Sequence, residues 1–193
     1  MKRSALLLAA LITGMISVQA EEKNDINGSF EKCRANSKGF ISPEGWVKDK
    51  QSKGVKFSAT TEEVRSGKFS LYIENEEKAS SLIYYYPSPV KAEAGDKMIF
   101  TVYGKGEGSF NMGVIAYSDE AKSRFLRTLA AREQKITDGE NWQKFTFVCP
   151  VNTQKRYGKE YQKFLLRPVI LIRGAAEFAL DDLSYEKKGK SAK

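Results

Sequence analysis

The side chains that could do chemistry in this chain are tyrosines, carboxylates and arginines, because none of its 193 residues is a histidine. Without histidine, Ser–His and Cys–His nucleophile pairs cannot form, and the usual histidine metal sites are excluded. Hydrolysis by paired carboxylates stays formally open. However, the acidic clusters Glu62–Glu63, Glu74–Glu77 and Asp119–Glu120 fall at turns or strand ends and are typical of solvated surface. The residue types therefore favour binding over catalysis.

Tyrosines are the residues best suited to form a binding surface. Tyr84, Tyr85 and Tyr86 are consecutive, so strand alternation sends Tyr85 to one face and the other two to the opposite face. Tyr103 and Tyr117 fall on the more polar faces of their own strands. Such rings, with a few polar groups, could line a ligand site. Tyrosine is also a favoured strand residue, so a purely structural role for each ring remains the alternative.

The elements that must position these residues are β-strands, because most apolar residues alternate with period two. The alternating runs are separated by turn residues such as Ser66–Gly67 and Asp138–Gly139, and Gly104-x-Gly106-x-Gly108 predicts a hairpin turn. Many short strands at this spacing favour a sandwich or barrel. The segment 119–136 has helical spacing and good helix formers, while its neighbours favour an edge or crossover strand, so both assignments stay open.

The two ends of the chain differ from the region between them. Lys2 and Arg3 precede an uncharged apolar run that ends in Val18-Gln19-Ala20, which predicts a secretory signal peptide over 1–20. A polar leader over 21–26, one domain over 27–186 and a basic flexible tail over 187–193 follow. We expect an exported, periplasmic or extracellular protein without a membrane span.

Charge and cysteine content limit the partners. The formal net charge is +8, which could attract anionic polysaccharide by steering. The basic residues are scattered, which favours an ordinary soluble surface, and we expect no nucleic-acid partner. Cys33 and Cys149 form an even pair in a chain predicted to be exported, so a disulfide is expected; two free thiols in a core are the alternative.

A family pattern runs along the domain. The chain resembles the galactose-binding-like β-sandwich modules, in particular carbohydrate-binding modules of the family 4, 9 and 22 type. The motifs that carry the resemblance occur in the family's order: Asn27–Glu31, Pro43–Trp46, Arg65–Leu71, Ala94–Asp96, Phe100–Tyr103, Asn141–Phe147 and Phe178–Ser184. The resemblance implies an all-β, jelly-roll-like sandwich of two antiparallel sheets.

The resemblance also implies two sites. Modules of this type often hold a structural calcium ion, and carried over to this chain its ligands would be Glu31, Asp181 and backbone oxygens near Ser66 and Lys68. The modules commonly bind sugar on one concave sheet or at loop tips. The residues expected at such a site are Tyr103, Tyr117, Asn111 and Arg167, with Tyr84, Tyr86 and Trp46 as further members.

The function expected from these features is non-catalytic glycan binding, with an anionic glycan as the first candidate because the chain is basic. The alternative is a periplasmic or cell-surface structural or adhesion protein that binds a protein partner. An aromatic-lined groove would favour the first hypothesis, and a large apolar patch would favour the second.

Overall fold

A computed structural model describes residues 26–35, 40–76 and 79–189. This part of the chain contains no helix, and therefore none that is long and apolar enough to span a bilayer. Its strands are β1 (Cys33–Ala35), β2 (Ile41–Pro43), β3 (Trp46–Lys48), β4 (Val55–Thr60), β5 (Ser70–Asn75), β6 (Ser80–Tyr85), β7 (Val90–Glu93), β8 (Lys97–Ser118), β9 (Phe125–Ala130), β10 (Gln134–Ile136), β11 (Gln143–Pro150), β12 (Gln154–Arg156), β13 (Lys159–Tyr161), β14 (Lys163–Arg173) and β15 (Ala176–Lys188).

The strands form two antiparallel sheets that share β8. Sheet I has the order β11–β8–β15–β5–β4 and uses the first half of β8. Sheet II has the order β3–β6–β14–β8–β9 and uses the second half of β8. In addition, β7 pairs with β14, and β10 pairs with β8. The short hairpins β1–β2 and β12–β13 complete the described fold.

The core lies between the two sheets. Phe110 of sheet II contacts Phe145, Phe147 and Phe178 of sheet I, with ring centroids 5.2–5.4 Å apart. Alternate residues of each strand supply this interior, as the period-two pattern predicts. The predicted all-β, jelly-roll-like sandwich is confirmed.

One long strand carries the chain from sheet I to sheet II. The prediction of a hairpin at Gly104–Gly108 is wrong, because β8 continues through these residues without a turn. Gly106 and Gly108 have φ values of +122° and +137°, which favour glycine. A Cβ on Gly106 would come within 2.5 Å of the Glu177 carbonyl oxygen. The glycines therefore allow β8 to change sheets while it packs closely against β15.

The segment 119–136 forms strands, which resolves the open assignment. Residues of β9 pair with Gly113–Tyr117 of β8, and β10 pairs with Gly108–Phe110. A strand here completes the edge of sheet II and buries Leu126. Pairing with a long, already extended neighbour outweighs the local helix propensity of the segment.

Residues near both predicted ends of the domain belong to the described fold. The predicted signal peptide and the leader up to residue 25 lie outside the described residues, as do residues 190–193. Ile26 is buried in the core. The last strand extends two residues into the segment predicted as a tail, since Lys187 and Lys188 pair with Met98 and Lys97.

The predicted disulfide is absent, and both cysteines are free thiols. Cys33 Sγ donates to the Phe30 carbonyl oxygen at 2.9 Å, beside the β1–β2 hairpin. Cys149 Sγ donates to the Leu129 carbonyl oxygen at 3.3 Å, in the interior next to β9. An even number of cysteines suggests a bridge, but it does not show where each thiol lies in the fold. Here the two thiols contact different backbone groups in different parts of the molecule.

Candidate functional site

The outer face of sheet II collects most of the residues expected at a binding site. Antiparallel register places Tyr84 opposite Val169, and Arg167 opposite Ile115. Tyr117 is opposite Leu165 in the same ladder. These side chains alternate with core residues, so they share the face of the sheet that points away from the core.

A groove of about 520 Å³ crosses this face. Its floor comes from β6, β8 and β9, and one wall comes from the loop after β3. The residues that line it are Asp49, Gln51, Ser52, Ser80, Leu82, Tyr84, Ile115, Tyr117, Phe125 and Thr128. It therefore combines three aromatic rings with polar side chains, the composition expected of a small-ligand site.

Two larger depressions lie elsewhere and are less suited to a ligand that stacks on rings. One, of about 770 Å³, is on sheet I, where the Tyr72 hydroxyl donates to Glu177 Oε1 at 2.8 Å. Glu74 and Glu107 flank Glu177 on the neighbouring strands. The other, of about 780 Å³, has no aromatic residue among its described lining.

Arg167 lies between the tyrosines of the outer face. Its guanidinium carbon is 4.4 Å from the ring centroid of Tyr86 and 5.9 Å from that of Tyr117. The ring centroids of Tyr84 and Tyr86 are 6.5 Å apart, so the two rings share one face of the sheet, as the alternation through Tyr85 predicts. Tyr86 is 59% exposed, so its ring is available at the surface while Arg167 is half-buried beneath it.

Tyr117 is a neutral hydrogen-bonding group in this setting. Burial raises its pKa above the ordinary value of 10.0, with smaller effects from Tyr84 and Asp49, while Arg167 opposes the rise. The phenol therefore keeps its proton at physiological pH and can both donate and accept.

Asn111 is on the same face but is already engaged. It is buried, and its Nδ2 donates to the Ala131 carbonyl oxygen at 3.2 Å. This bond joins β8 to the segment that follows β9. The structure therefore gives Asn111 a role in fixing the edge of sheet II.

Two residues expected at the site lie elsewhere. Tyr103 is in sheet I, and the Arg65 guanidinium carbon lies 3.5 Å from its ring centroid. Trp46 is only 3% exposed, contacts Phe30 and Tyr85, and donates from Nε1 to the Ile26 carbonyl oxygen at 3.1 Å. Neither residue lies on the outer face of sheet II, because the bend in β8 separates Tyr103 from Tyr117 and the core surrounds Trp46.

An aromatic and basic rim at one end of the groove was not predicted. Phe125 is 42% exposed and contacts Tyr117 edge-on at 6.1 Å. The Arg156 guanidinium carbon lies 4.9 Å from the Phe125 ring and 5.0 Å from the Tyr157 ring, and Arg124 lies 5.9 Å from Tyr157. Phe125 was missed because the conformation of 119–136 was open, and Arg156 because the β12–β13 hairpin has no period-two apolar pattern.

The residues expected to hold calcium converge on one turn. Glu31 Oε1 accepts from the backbone N–H groups of Lys68 and Phe69 at 2.9 and 3.0 Å. Asp181 is fully buried, and its Oδ2 accepts from the N–H groups of Arg65 and Ser66, both at 3.0 Å.

Asp181 is also hydrogen-bonded on its other oxygen. The N–H of Asp182 donates to its Oδ1 at 2.7 Å, while Asp182 itself pairs with Arg65 and accepts from Ser66 Oγ. Burial raises the pKa of Asp181 above its ordinary 3.8, and the N–H bonds of Ser66, Asp182 and Arg65 oppose that rise.

The set fits calcium only in part. Two carboxylates from distant parts of the chain approach one turn, and among the described residues Glu31 Oε2 accepts no hydrogen bond. However, the turn presents N–H groups to both carboxylates, and the described residues include no cluster of three or more metal-binding side chains. Backbone carbonyls and water would have to complete a calcium site.

Comparison with known proteins finds similarity at the level of structure alone. No protein-family model matches the chain, and no curated protein matches it. The CBM22-1 xylan-binding domain of Paenibacillus barcinonensis Xyn10C superposes with a TM-score of 0.51 at 16% identity, over 86% of this chain and 94% of that one. The CBM22-1–GH10 modules of Clostridium thermocellum Xyn10B, complexed with xylohexaose, superpose with a TM-score of 0.55 at 16% identity, over 77% of this chain and 27% of that one.

A third similar structure, the CBM22-1–CBM22-2 tandem of Paenibacillus barcinonensis Xyn10C, has a TM-score of 0.50 at 13% identity. It matches over 79% of this chain and 44% of that one. The chain therefore spans less than half of the two multi-module structures and nearly all of the single module. At these identities the likeness concerns the fold, and the chain has the galactose-binding-like β-sandwich fold of the carbohydrate-binding modules.

Proposed function

We propose that this protein binds a glycan in the groove on the outer face of sheet II. The observation that carries the proposal is the meeting of Tyr84, Tyr117 and Phe125 along one groove with polar side chains beside them. Pyranose rings present C–H groups that pack on aromatic faces, and their hydroxyls need hydrogen-bonding partners. The proteins with similar folds include a xylan-binding domain and a complex with xylohexaose, which supports a sugar as the ligand.

The groove supports binding without catalysis. Hydrolysis of a glycosidic bond requires two carboxyl groups that flank the bond. Asp49 is the single acidic residue among the described residues that line the groove. We therefore propose a non-catalytic module that is exported to the periplasm or the extracellular space, in agreement with the signal-peptide pattern of residues 1–20.

A glycan array, run on the purified protein and on a Tyr117→Ala variant, tests this function. We expect the wild type to retain one class of sugar and the variant to lose that retention. Retention that is equal in the two proteins would place the sugar site elsewhere. Silence of the folded wild type across the array would contradict glycan binding and favour the alternative, a protein partner.

We also propose that a calcium ion stabilises the fold at Glu31 and Asp181. A cation there would add an ionic link between the first described segment and the last strand, and binding to the native state alone raises stability. The melting temperature of the wild type should rise in calcium relative to chelator, and a Glu31→Gln variant should lose most of that rise. An identical melting temperature in calcium and in chelator would contradict the proposal.

A further inference from the structure

Arg167 lies beside the groove, next to Tyr86 and Tyr117, and no described residue forms an ion pair with it. Its Nη1 is buried and makes no hydrogen bond. The rings of Tyr86 and Tyr117 lie 4.4 and 5.9 Å from the guanidinium carbon; these contacts attract the charge but leave the N–H donors unused. A buried charged donor without an acceptor is costly, and an anion bound beside this half-buried side chain would lower that cost by compensating the charge.

Asp49, the acidic residue that lines the groove, does not neutralise Arg167. Asp49 lines the groove, and its Oδ1 accepts from the Gln51 N–H at 3.4 Å. Among the described residues it forms no ion pair with Arg167. The guanidinium therefore has no ion-pair partner among the described residues.

The rim extends the same pattern. The order of contacts is Tyr86, Arg167, Tyr117, Phe125, Arg156, Tyr157 and Arg124, so rings alternate with guanidinium groups along most of it. Flat apolar faces alternate with planar cations along one edge of the groove. A polymer that repeats a ring and a negative charge matches this arrangement.

The carboxylates near the rim are paired with lysines. Glu120 lies 3.7 Å from Lys159, and Glu160 lies 3.6 Å from Lys155. Neither Arg124 nor Arg156 forms an ion pair among the described residues; Arg156 donates instead to the Leu126 carbonyl oxygen. The charges of the two rim arginines are therefore not compensated by a carboxylate among the described residues.

We infer that the groove selects a glycan that contains uronic acid, with Arg167 as the residue that receives the carboxylate. This inference rests on the proposed glycan binding and names the class of sugar. A planar guanidinium can bind both oxygens of a carboxylate, which fixes the orientation of the ligand in addition to attracting its charge. A neutral sugar would offer hydroxyl acceptors to the guanidinium but would leave its charge uncompensated.

Titration calorimetry on matched oligosaccharides tests the inference. One pair is xylohexaose and the same hexaose with a glucuronic acid substituent; a second pair is a galacturonate hexamer and its methyl ester. A mannuronate hexamer and a sulfated oligosaccharide of equal length complete the panel. The proteins are the wild type, Arg167→Gln, Arg167→Lys and Tyr117→Ala. Arg34→Gln is the matched control, because it removes one exposed arginine from the β1–β2 hairpin, whose two strands pair only with each other.

We expect the wild type to prefer the acidic member of a pair, and Arg167→Gln to lower affinity for that member by about ten- to a hundredfold. Arg167→Lys should recover only part of the loss, because lysine lacks the planar fork. Arg34→Gln should bind as the wild type does. Melting curves establish that each variant is folded.

Three results would overturn the inference, and they are distinguishable. Equal binding of acidic and neutral members, lost in Tyr117→Ala but unchanged in Arg167→Gln, would leave glycan binding standing and refute the choice of uronic acid. Strongest binding of the sulfated oligosaccharide, insensitive to Arg167→Gln, would indicate general attraction to a basic surface. Absence of binding to every oligosaccharide by the folded wild type would count against the proposed function itself.

Discussion

Arg167 and Tyr86 meet on the outer face of sheet II, with the guanidinium carbon 4.4 Å from the ring centroid. Tyr86 directly follows β6, whereas Arg167 interrupts the apolar strand β14, so the contact joins neighbouring strands of one sheet. The ring holds the guanidinium beside the groove without using its N–H donors. This contact orients a half-buried charge before any ligand arrives, which lowers the entropic cost of binding.

The two half-buried tyrosines of β8 provide a matched pair of variants. We expect Tyr117→Ala to weaken glycan binding by about tenfold or more, since a central ring of the groove is lost. We expect Tyr103→Ala to leave binding unchanged and to lower the free energy of unfolding by about 0.5–2 kcal/mol through loss of the Arg65 contact. Calorimetry and urea unfolding measure the two effects. A Tyr103→Ala variant that binds as poorly as Tyr117→Ala would show that the groove is not the site.

Trp46 should matter for stability and not for binding. Trp46→Phe removes the N–H that donates to the Ile26 carbonyl oxygen and leaves that carbonyl without its partner. The expected cost is about 1–3 kcal/mol of unfolding free energy, measured by urea denaturation. Glycan affinity of the folded variant should equal that of the wild type, and a selective loss of affinity would return Trp46 to the binding site.

The buried carboxyl of Asp181 predicts a pH dependence of stability. Burial holds its folded pKa above 3.8, so the native state keeps this proton to a higher pH than the unfolded chain does. The stability that this proton confers is present below the unfolded pKa and is lost as pH rises through the folded pKa. Urea unfolding in chelator should show this decline in the wild type and not in Asp181→Asn, whereas parallel profiles would contradict it.

The two thiols should be free and slow to react in the folded protein. Burial raises the pKa of Cys149 to about 11, and burial together with Glu31 and Glu44 raises that of Cys33. Because the thiolate is the reactive form, iodoacetamide at neutral pH should label the native protein slowly and label both cysteines after unfolding without reductant. If labelling of the unfolded protein required a reductant, the two cysteines would be bridged after all.

Local sequence was sufficient for those features that depend on strand alternation. It predicted that Tyr103 and Tyr117 lie on the more polar faces of their strands, and it placed Tyr84 and Tyr86 opposite to Tyr85. The resemblance named Glu31 and Asp181 together with backbone oxygens near Ser66 and Lys68; these residues meet at one turn, which presents N–H groups to the two carboxylates. These features follow from a period of two and from motifs that keep their order along the chain.

The tertiary structure alone decided which side of the sandwich each outward residue occupies. Tyr103 and Tyr117 are both outward residues of one strand, yet the bend through Gly104–Gly108 puts them on opposite sides of the molecule. Similarly, the segment 119–136 became an edge strand because β8 offered an unpaired edge, and this brought Phe125 to the groove. Alternation fixes the face of a strand that a side chain occupies, but pairing between distant strands determines which other residues share that face.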